Sequence, residues 1–355
     1  MPEFAERVTA WQKHAGRHDL PWQRDRDPYR IWLSEIMLQQ TQVSAVVPYF
    51  ERFVARFPDL QSLAAAELGD VLQLWSGLGY YARARNLHRA ANLVRERYGG
   101  QFPDRFEAIA ALPGVGRSTA GAIAVFAFGG RYPILDGNVR RVFARCFGIE
   151  GFPRDPAVEK ILWARAEAEL PLEEVAGYTQ GLMDLGATCC TRARPHCDEC
   201  PLAQSCVARS QRRVDVLPSP RPRKALPQRA TRMLLLMHGA EVLLEKRPAT
   251  GLWGGLWCLP ELAAPNDVTL TARTRFGAQV FRQTPLPPVA HGFTHFKLDI
   301  HPLLCEVGSL DARARSPGSV WLTLEEAIGA AVPAPVRRIL RGVRDSRSAG
   351  AQQVD

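Results

Sequence analysis

Four cysteines near the middle of the chain have a spacing that suits metal chemistry. They follow the pattern Cys190-x6-Cys197-x2-Cys200-x5-Cys206. Thiolates this close repel one another unless a cation holds them, and pairing all four as disulfides would require strained loops. Four thiolates suit either a tetrahedral zinc ion or a [4Fe–4S] cluster. The single C-x2-C pair favours the iron–sulfur cluster, although Cys189 directly precedes Cys190 and leaves the register ambiguous.

A glycine turn followed by a carboxylate is the second chemical feature. The segment LPGVG at 112–116 is not a helix interior, because its proline lacks an N–H and its glycines permit positive φ. Such a turn at the start of a helix presents N–H groups that suit a phosphate oxygen. Asp136 then precedes Gly137-Asn138 and another predicted helix. The plainer alternatives are a packing corner for the turn and a helix N-cap for Asp136.

Glu35 lies within an unusually apolar predicted helix, IWLSEIML at 31–38. Desolvation there would raise its pKa toward the value that a general acid needs. Alternatively, Glu35 faces solvent at the edge of an amphipathic helix. The adjoining run Gln39-Gln40-Thr41-Gln42 offers neutral donors and acceptors that suit base edges.

The loop Gly77-Leu78-Gly79-Tyr80-Tyr81 places two aromatic residues in a glycine turn. A ring in such a loop can enter a duplex as a wedge between bases. The alternative is a loop tyrosine that folds back onto the core.

Composition favours a nucleic-acid partner inside the cell. The 355-residue chain has 45 Lys and Arg against 36 Asp and Glu, a net charge of +9. This charge fits DNA, and equally a ribosomal or anionic-membrane partner. The arginine groups 83/85/89 and 140/141/145 are either phosphate contacts or, as for most such clusters, solvated helix faces. No apolar run approaches the ~20 residues of a membrane span, and the first residues do not read as a signal peptide.

The elements that position these groups change character along the chain. Amphipathic helical patterns fill residues 1–208, and a Pro/Arg-rich linker is predicted over 209–229. Short alternating runs with interspersed helices predict an α/β domain with a mixed sheet over 230–344. Residues 345–355 are predicted to be a disordered tail.

Several of these motifs together resemble a known family. The segments WLSEIMLQQTQV, GLGYYARARNL, LPGVGRSTAGAI and ILDGNVRRV, followed by the four cysteines, resemble the helix-hairpin-helix, iron–sulfur DNA glycosylase superfamily and, within it, the adenine DNA glycosylases. ATGLWGGLWCLPE and GFTHFKLDI resemble the Nudix-like C-terminal domain of those enzymes. The resemblance implies a six-helix barrel and a cluster subdomain within 1–208, with the hairpin at 112–121 and the cluster loop at 190–206. It also implies one [4Fe–4S] cluster.

The resemblance implies a base-excision-repair enzyme that flips out adenine mispaired with 8-oxoguanine or guanine and hydrolyses its N-glycosidic bond. It makes Glu35 the general acid, Asp136 the carboxylate that stabilises the oxocarbenium ion or bonds to it transiently, and Asn138 a residue that orients the site. The implied base and DNA contacts are Trp22, Gln40, Tyr80, Leu112, Gly114, Gly116, Ser118, Gln180, Phe293, Thr294 and His295.

Ser118 bears on the type of reaction. In relatives that resemble endonuclease III, a lysine at this position attacks the sugar as a Schiff-base nucleophile, and serine cannot form an imine. We therefore expect a monofunctional enzyme that leaves an abasic site. The milder change to Arg140, where some members carry a lysine, makes covalent trapping of DNA less favourable.

The C-terminal domain lacks the dense glutamates of a catalytic Nudix signature between Gly254 and Phe276, so we expect it to bind without hydrolysing nucleotides. The resemblance makes Phe293-Thr294-His295 its lesion-recognition loop, with threonine replacing a serine. Threonine keeps the hydroxyl group for a contact to the edge of 8-oxoguanine; the alternative is an ordinary strand hydroxyl.

Two alternatives remain open: a pyrimidine-damage glycosylase/lyase, and a DNA-binding iron–sulfur redox sensor with a vestigial site. Ser118 argues against the first, and the presence of both Glu35 and Asp136 argues against the second. We expect a cytoplasmic monomer that associates with the nucleoid through duplex DNA, has no membrane contact and binds repair or replication proteins.

Overall fold

The computed structural model describes residues 4–221, 225–262, 267–311 and 318–351. It forms two compact units: Met1–Ala65 with Asn86–Arg223, and Ala66–Arg85 with Lys224–Asp355. The segment 66–85, which we predicted to belong to the helical region 1–208, therefore belongs to the second unit. No helix in the described ranges is both long enough and apolar enough to cross a membrane.

The described part of the first unit is helical, as the sequence predicts. Its helices are α1 (Phe4–Ala15), α2 (Pro28–Leu38), α3 (Val43–Arg56), α4 (Leu60–Ala65), α7 (Phe106–Ala110), α8 (Arg117–Phe128), α9 (Gly137–Cys146), α10 (Pro156–Ala168), α11 (Val175–Asp184) and α12 (Val207–Ser210). The second unit contains α5 (Leu68–Leu74), and the boundary between the units falls within α6 (Ala82–Tyr98). A 3₁₀ turn at Pro21–Gln23 and a π-helical turn at Leu185–Cys189 flank the site described below.

Helix α2 begins where the sequence predicts it. Asp27 caps it by accepting a 2.9 Å hydrogen bond from the N–H of Tyr29, and Pro28 occupies the first position, where its missing N–H costs nothing. Trp32, Leu33 and other apolar residues of α2 are fully buried, and α2 packs against α3 and α8. This burial fixes the rotation of α2 and so the direction of Glu35.

A second apolar core joins α1, α9, α10 and α11. Val8, Val139, Phe143, Leu162 and Leu182 are each at most 1% exposed within it. The core also includes Cys189 and Leu202, so it anchors the cysteine-rich segment to the helices. Burial of this apolar surface, at roughly 25 cal/mol per Å², stabilises the position of α9 and of the Asp136 that precedes it.

The second unit contains the mixed sheet that the sequence predicts. Its strands are β1 (Gln228–His238), β2 (Glu241–Lys246), β3 (Trp257–Cys258), β4 (Glu261–Leu262), β5 (Ala278–Pro285), β6 (Val289–Gly292), β7 (Lys297–Leu310) and β8 (Ser319–Thr323). The main strand order is β3-β2-β1-β7-β5. Strands β1 and β7 are parallel from Gln228–Lys297 to Met237–Glu306, and the other pairs are antiparallel.

Helices cover this sheet on its apolar surface. They are α13 (Val268–Phe276), α14 (Leu324–Gly329) and α15 (Ala334–Ala351). Leu234, Leu236, Ala272, Phe276 and Cys305 form a buried core between α13 and the central strands.

Hydrogen bonds explain why the segment 66–85 belongs to the second unit. Ser76 donates to the carbonyl of Val332 at 3.1 Å and accepts from Arg337 at 2.8 Å. Arg85 donates to the carbonyl of Gly254 at 2.9 Å. These partners are far away in sequence, so the helical periodicity of the segment carried no sign of them.

The prediction of a disordered tail from residue 345 is wrong as far as Ala351, because α15 continues to that residue. Arg344 pairs with Glu325 at 3.4 Å, and the hydroxyl groups of Ser346 and Ser348 donate to carbonyls one turn earlier. Residues 352–355 lie outside the described part of the chain.

Candidate active site and cysteine cluster

A cavity of about 300 Å³ in the first unit brings together three of the predicted site residues. Trp22, Glu35 and Gln180 line it, on the 3₁₀ turn, α2 and α11 respectively. Arg17, His18, Ser34, Phe126 and Met183 complete much of the wall. Trp22 is only 7% exposed and packs edge-on against Phe50 with ring centroids 5.3 Å apart, which fixes its indole. The lining mixes apolar side chains with polar and charged ones, so the cavity can both enclose a small molecule and hydrogen-bond it.

Glu35 is a partly buried carboxylic acid in this cavity. Loss of hydration raises its pKa to about 8, and the negative charge of Asp136 contributes in the same direction. Glu35 therefore holds its proton at neutral pH, which is the state that a general acid requires.

Asp136 caps α9 and lies close enough to Glu35 for the two carboxyl groups to interact. Its Oδ1 accepts a 2.7 Å hydrogen bond from the N–H of Val139. Burial raises the pKa of Asp136, while the N–H groups of Val139 and Asn138 and the charges of Arg141 and Arg140 oppose that rise. The two carboxyl groups thus have different surroundings. Both are desolvated, but only at Asp136 do hydrogen-bond donors and positive charges favour the ionised form.

Ser118 and Asn138 hold the backbone around Asp136. The hydroxyl oxygen of Ser118 accepts a 2.9 Å hydrogen bond from the N–H of Leu135, the residue before Asp136. The side-chain oxygen of Asn138 accepts from Arg141 at 2.9 Å, and Arg141 also donates to the carbonyls of Cys190 and Gly186. Arg141 therefore connects Asn138, at the start of α9, to Cys190 in the cysteine segment.

The predicted hairpin connects α7 to α8. Gly114 has φ +82°, and a Cβ there would lie 2.9 Å from the Cβ of Asn86, so glycine is required twice over. Gly116 is the extended N-cap of α8 and is exposed. The first N–H groups of α8 have no intrahelical acceptor. The side chain of Leu112 is 3% exposed, so only its backbone is available for the predicted DNA contact.

Gln40 and Tyr80 share an uncommon backbone conformation. Their φ angles are +58° and +49°, and Tyr80 is 45% exposed. Left-handed backbone at a non-glycine residue is strained and is concentrated at functional sites.

The cysteine segment has its four predicted ligands around one cavity. Cys190, Cys197, Cys200 and Cys206 line it. Cys189 lies there too, but it is buried in the apolar core and donates its S–H to the carbonyl of His196 at 3.3 Å. Among the described residues, no three His, Cys, Asp or Glu side chains converge as they would around one metal ion.

The buried side chain of Arg145 donates hydrogen bonds to this cysteine segment. It is 3% exposed and donates to the sulfur of Cys190 at 3.4 Å and to the carbonyls of Thr191 and Leu217 at 2.7 and 2.8 Å. A buried guanidinium next to several thiolates offsets their negative charge. The donor set therefore fits a thiolate-bound, anionic iron–sulfur cluster.

The interpretation of the arginine groups as phosphate contacts is wrong for Arg83, Arg140 and Arg145, whose guanidinium groups are engaged by acceptors of the protein itself. Arg145 serves the cysteine segment, and Arg140 donates to the carbonyl of Pro153 and pairs with Glu159 at 2.5 Å. Arg83 is 6% exposed; it donates to the carbonyls of Leu78 and Gly79, and its guanidinium lies 5.5 Å from the ring centroid of Tyr80. Spacing alone did not distinguish structural from solvent-facing arginines.

The predicted lesion-recognition loop lies between β6 and β7 in the second unit. Phe293 is half-buried and stacks on Phe296 with centroids 4.5 Å apart, and it contacts Trp253 at 5.8 Å. Thr294 and His295 are exposed, with Oγ1 and Nδ1 3.3 Å apart.

Sequence reasoning missed the ion pair behind Gln180. Arg17 and Asp184 are 167 positions apart, and the carboxylate is fully buried, with N···O distances of 2.6–2.8 Å. No local motif announces a pair so distant in sequence; the one signal was an aspartate in the apolar run LMDLG.

The fold and the paired carboxylates define a class of DNA-repair protein. Residues 33–168 match the model of the HhH-GPD superfamily of base excision DNA repair proteins, and residues 232–342 match the NUDIX domain model. A solved thermostable thymine-DNA glycosylase aligns with 30% identity and a TM-score of 0.54, over 59% of this chain and 95% of that one. A non-covalent endonuclease III–DNA complex shows the same fold at 23% identity, with a TM-score of 0.51 over 59% and 94% of the two chains.

Full-length relatives make the assignment narrower. The adenine DNA glycosylase of Buchnera aphidicola subsp. Acyrthosiphon pisum is 36% identical over 96% of this chain and 97% of its own. The adenine DNA glycosylase of Homo sapiens is 34% identical over 95% of this chain and 73% of its own. The chain belongs to the adenine DNA glycosylase family and is a hydrolase of N-glycosyl bonds, which confirms the predicted family, fold class and enzyme class.

Proposed function

We propose that this glycosylase removes adenine mispaired with 8-oxoguanine or guanine, and that Glu35 and Asp136 perform the reaction in the cavity of the first unit. The observation that supports this most strongly is the carboxyl pair itself. One member holds its proton at neutral pH and lines a cavity whose walls include an indole and an amide, and the other lies close enough to it to raise its pKa.

Glu35 is the proposed general acid. Adenine anion is a poor leaving group, so the bond to the sugar breaks readily only when N7 of the base gains a proton. A carboxyl group with a pKa of about 8 is protonated at neutral pH and can donate that proton.

Asp136 is the proposed partner of the oxocarbenium ion. The cation that develops at the sugar needs a carboxylate, either as an electrostatic stabiliser or as a transient covalent partner. The N–H groups of Val139 and Asn138 favour the ionised form, and Asn138 and Ser118 fix its position. Water then attacks C1′ and leaves an abasic site.

DNA contacts are proposed at four places. Trp22 lines the pocket for the flipped base, and Gln180 hydrogen-bonds its edge. The amides around Gly114 and Gly116 hold a phosphate near the extruded nucleotide. Gln40 and Tyr80 enter the duplex beside the lesion, which offsets the few kcal/mol that flipping costs. Phe293, Thr294 and His295 contact 8-oxoguanine.

The cysteine segment is proposed to hold one [4Fe–4S] cluster on Cys190, Cys197, Cys200 and Cys206. A cluster held by these cysteines would order the loop as a scaffold, and no step of base release would pass through it. Arg145 and Arg141 connect the loop to α9, so the loop also supports Asn138.

The reaction is proposed to stop at the abasic site. The Ser118 hydroxyl is engaged with the N–H of Leu135 and cannot form an imine with the sugar. This distinguishes the chain from a glycosylase/lyase.

Single-turnover cleavage tests the proposal. Duplexes would carry adenine opposite 8-oxoguanine, adenine opposite guanine, or an oxidised pyrimidine, each assayed with and without alkali. We expect base release from the first two, with strand breaks only after alkali. Base release from the pyrimidine duplex alone would contradict adenine as the substrate. Strand breaks without alkali would contradict the monofunctional mechanism.

A further inference from the structure

The fully buried Asp184 carboxylate determines how the amide of Gln180 faces the base pocket. Oδ1 of Asp184 accepts from Nε2 of Gln180 at 2.8 Å and from Nε and Nη2 of Arg17 at 2.7 and 2.6 Å. Oδ2 accepts from the backbone N–H of Arg17 at 2.8 Å. Every partner of this carboxylate is a donor.

An ionised carboxylate has only acceptor atoms, so the amide of Gln180 must turn its NH₂ group toward it. With its NH₂ group engaged by Asp184, the amide oxygen of Gln180 is the polar atom left for the cavity that this residue lines. Within the described residues, this oxygen makes no hydrogen bond of its own. The cavity is thus offered an acceptor at this position.

We infer that Asp184 is a positioning residue for base selectivity: it fixes Gln180 as a hydrogen-bond acceptor, so the pocket accepts a purine with an amino group at C6 and disfavours one with a carbonyl there. Adenine presents a donor at this edge, whereas the otherwise similar hypoxanthine presents an acceptor. Two acceptors facing each other leave both unpaired, which costs affinity. The inference rests on the proposed pocket for the flipped adenine.

Non-cleavable nucleotides measure this selectivity without the chemistry. Fluorine at C2′ destabilises the oxocarbenium ion, so duplexes with 2′-fluoro-2′-deoxyadenosine or 2′-fluoro-2′-deoxyinosine opposite guanine report binding alone. Gln180→Leu has no amide in the pocket, so its ratio of the two dissociation constants reflects only how the two bases differ in pairing and in the cost of flipping. This ratio is the baseline. We expect the wild-type ratio to exceed that baseline in favour of adenine by about tenfold.

Three variants test the role of Asp184. Asp184→Ala frees the amide to rotate, so its ratio should fall to the Gln180→Leu baseline. The ratio of Asp184→Ser should fall likewise. Serine fills part of the space that aspartate occupied, so this variant replaces the alanine variant if the latter does not fold. Asp184→Asn should keep the wild-type ratio at a lower stability, because its oxygen can occupy the Oδ1 position where three donors meet while its NH₂ group opposes the backbone N–H of Arg17. Asp155→Asn, at the N-cap of α10, is the matched control and should leave the ratio unchanged.

A wild-type ratio equal to the baseline, or in favour of inosine, would overturn the inferred orientation. A wild-type ratio retained in the alanine or serine variant would overturn the role of Asp184. Failure of the wild type to release adenine from the unmodified duplex would instead refute the proposed function, so the two failures are distinguishable.

Discussion

At the scale of the residue, Glu35 and Asp136 require opposite protonation states. Desolvation and the neighbouring charge raise the pKa of Glu35 to about 8, and burial raises that of Asp136 above its usual range. The proposed mechanism needs Glu35 protonated and Asp136 ionised. The pH range in which the mechanism operates is therefore bounded below by the pKa of Asp136 and above by the pKa of Glu35.

We predict a bell-shaped pH profile for adenine release under single-turnover conditions. Above about pH 8 the rate constant should fall because Glu35 loses its proton. It should fall again in acid as Asp136 becomes protonated, at a pH above the ordinary range of an aspartate. A rate constant that keeps rising from pH 8 to higher pH would contradict the assignment of Glu35 as the acid.

At the scale of the element, the turn before α9 is held by Ser118. Ser118→Ala removes the acceptor of the Leu135 N–H, and an unsatisfied buried donor costs about 1–3 kcal/mol. We predict a lower free energy of unfolding and slower adenine release, because Asp136 follows Leu135 directly. Ser62→Ala, on the exposed start of α4, is the control. Equal effects of the two substitutions would show that Ser118 does not position Asp136.

The cysteine segment depends on Arg145 in the same way. Arg145→Met keeps much of the side-chain volume but loses the bonds to Cys190, Thr191 and Leu217. We predict a loss of roughly 2–4 kcal/mol in unfolding free energy and a lower iron content per chain. Arg213→Met, at a half-exposed ion pair with Glu150, is the matched substitution. Iron content and urea midpoint equal to those of that control would rule out the bracing role.

Elements with a strong local signal could be predicted from the sequence. Helix α2 has its cap, its proline and its apolar residues in one window, and β1 contains the continuous buried run MLLLM at 233–237. The prediction of a disordered tail was wrong because its polar composition is typical of disorder, whereas the pairing of Arg344 with Glu325 can be seen only in the folded chain. In the site, Glu35 and Asp136 have recognisable neighbours in sequence, whereas the Arg17–Asp184 pair depends on long-range packing that no window contains.

At the scale of the whole molecule, the second unit supplies the proposed lesion contact. Phe293 is held by stacking on Phe296 and by contact with Trp253. Phe293→Ala should reduce the preference for adenine opposite 8-oxoguanine over adenine opposite guanine by about tenfold, measured as the ratio of dissociation constants. Phe281→Ala replaces an aromatic residue that is 70% exposed and should preserve the preference. An unchanged preference in the Phe293 variant would exclude the loop from lesion recognition.

The division of the chain into two units was only partly predictable. The change from helical to strand patterning placed β1 near residue 230, and the structure starts it at Gln228. The assignment of 66–85 to the second unit depends on Ser76 and Arg85, whose partners are more than 160 positions away. Hydrogen bonds between residues so far apart in sequence do not affect the hydrophobic periodicity from which elements are predicted.

The most direct test of the central claim compares wild type with Glu35→Gln on adenine opposite 8-oxoguanine, with binding and single-turnover release measured on the same duplex. The amide keeps the shape of the acid but has no proton to give. We predict near-normal binding and a release rate constant about 100-fold lower or more, while Glu51→Gln on exposed α3 behaves as wild type. Release within a few-fold of wild type would contradict the account, because the cavity would then lack its proton donor.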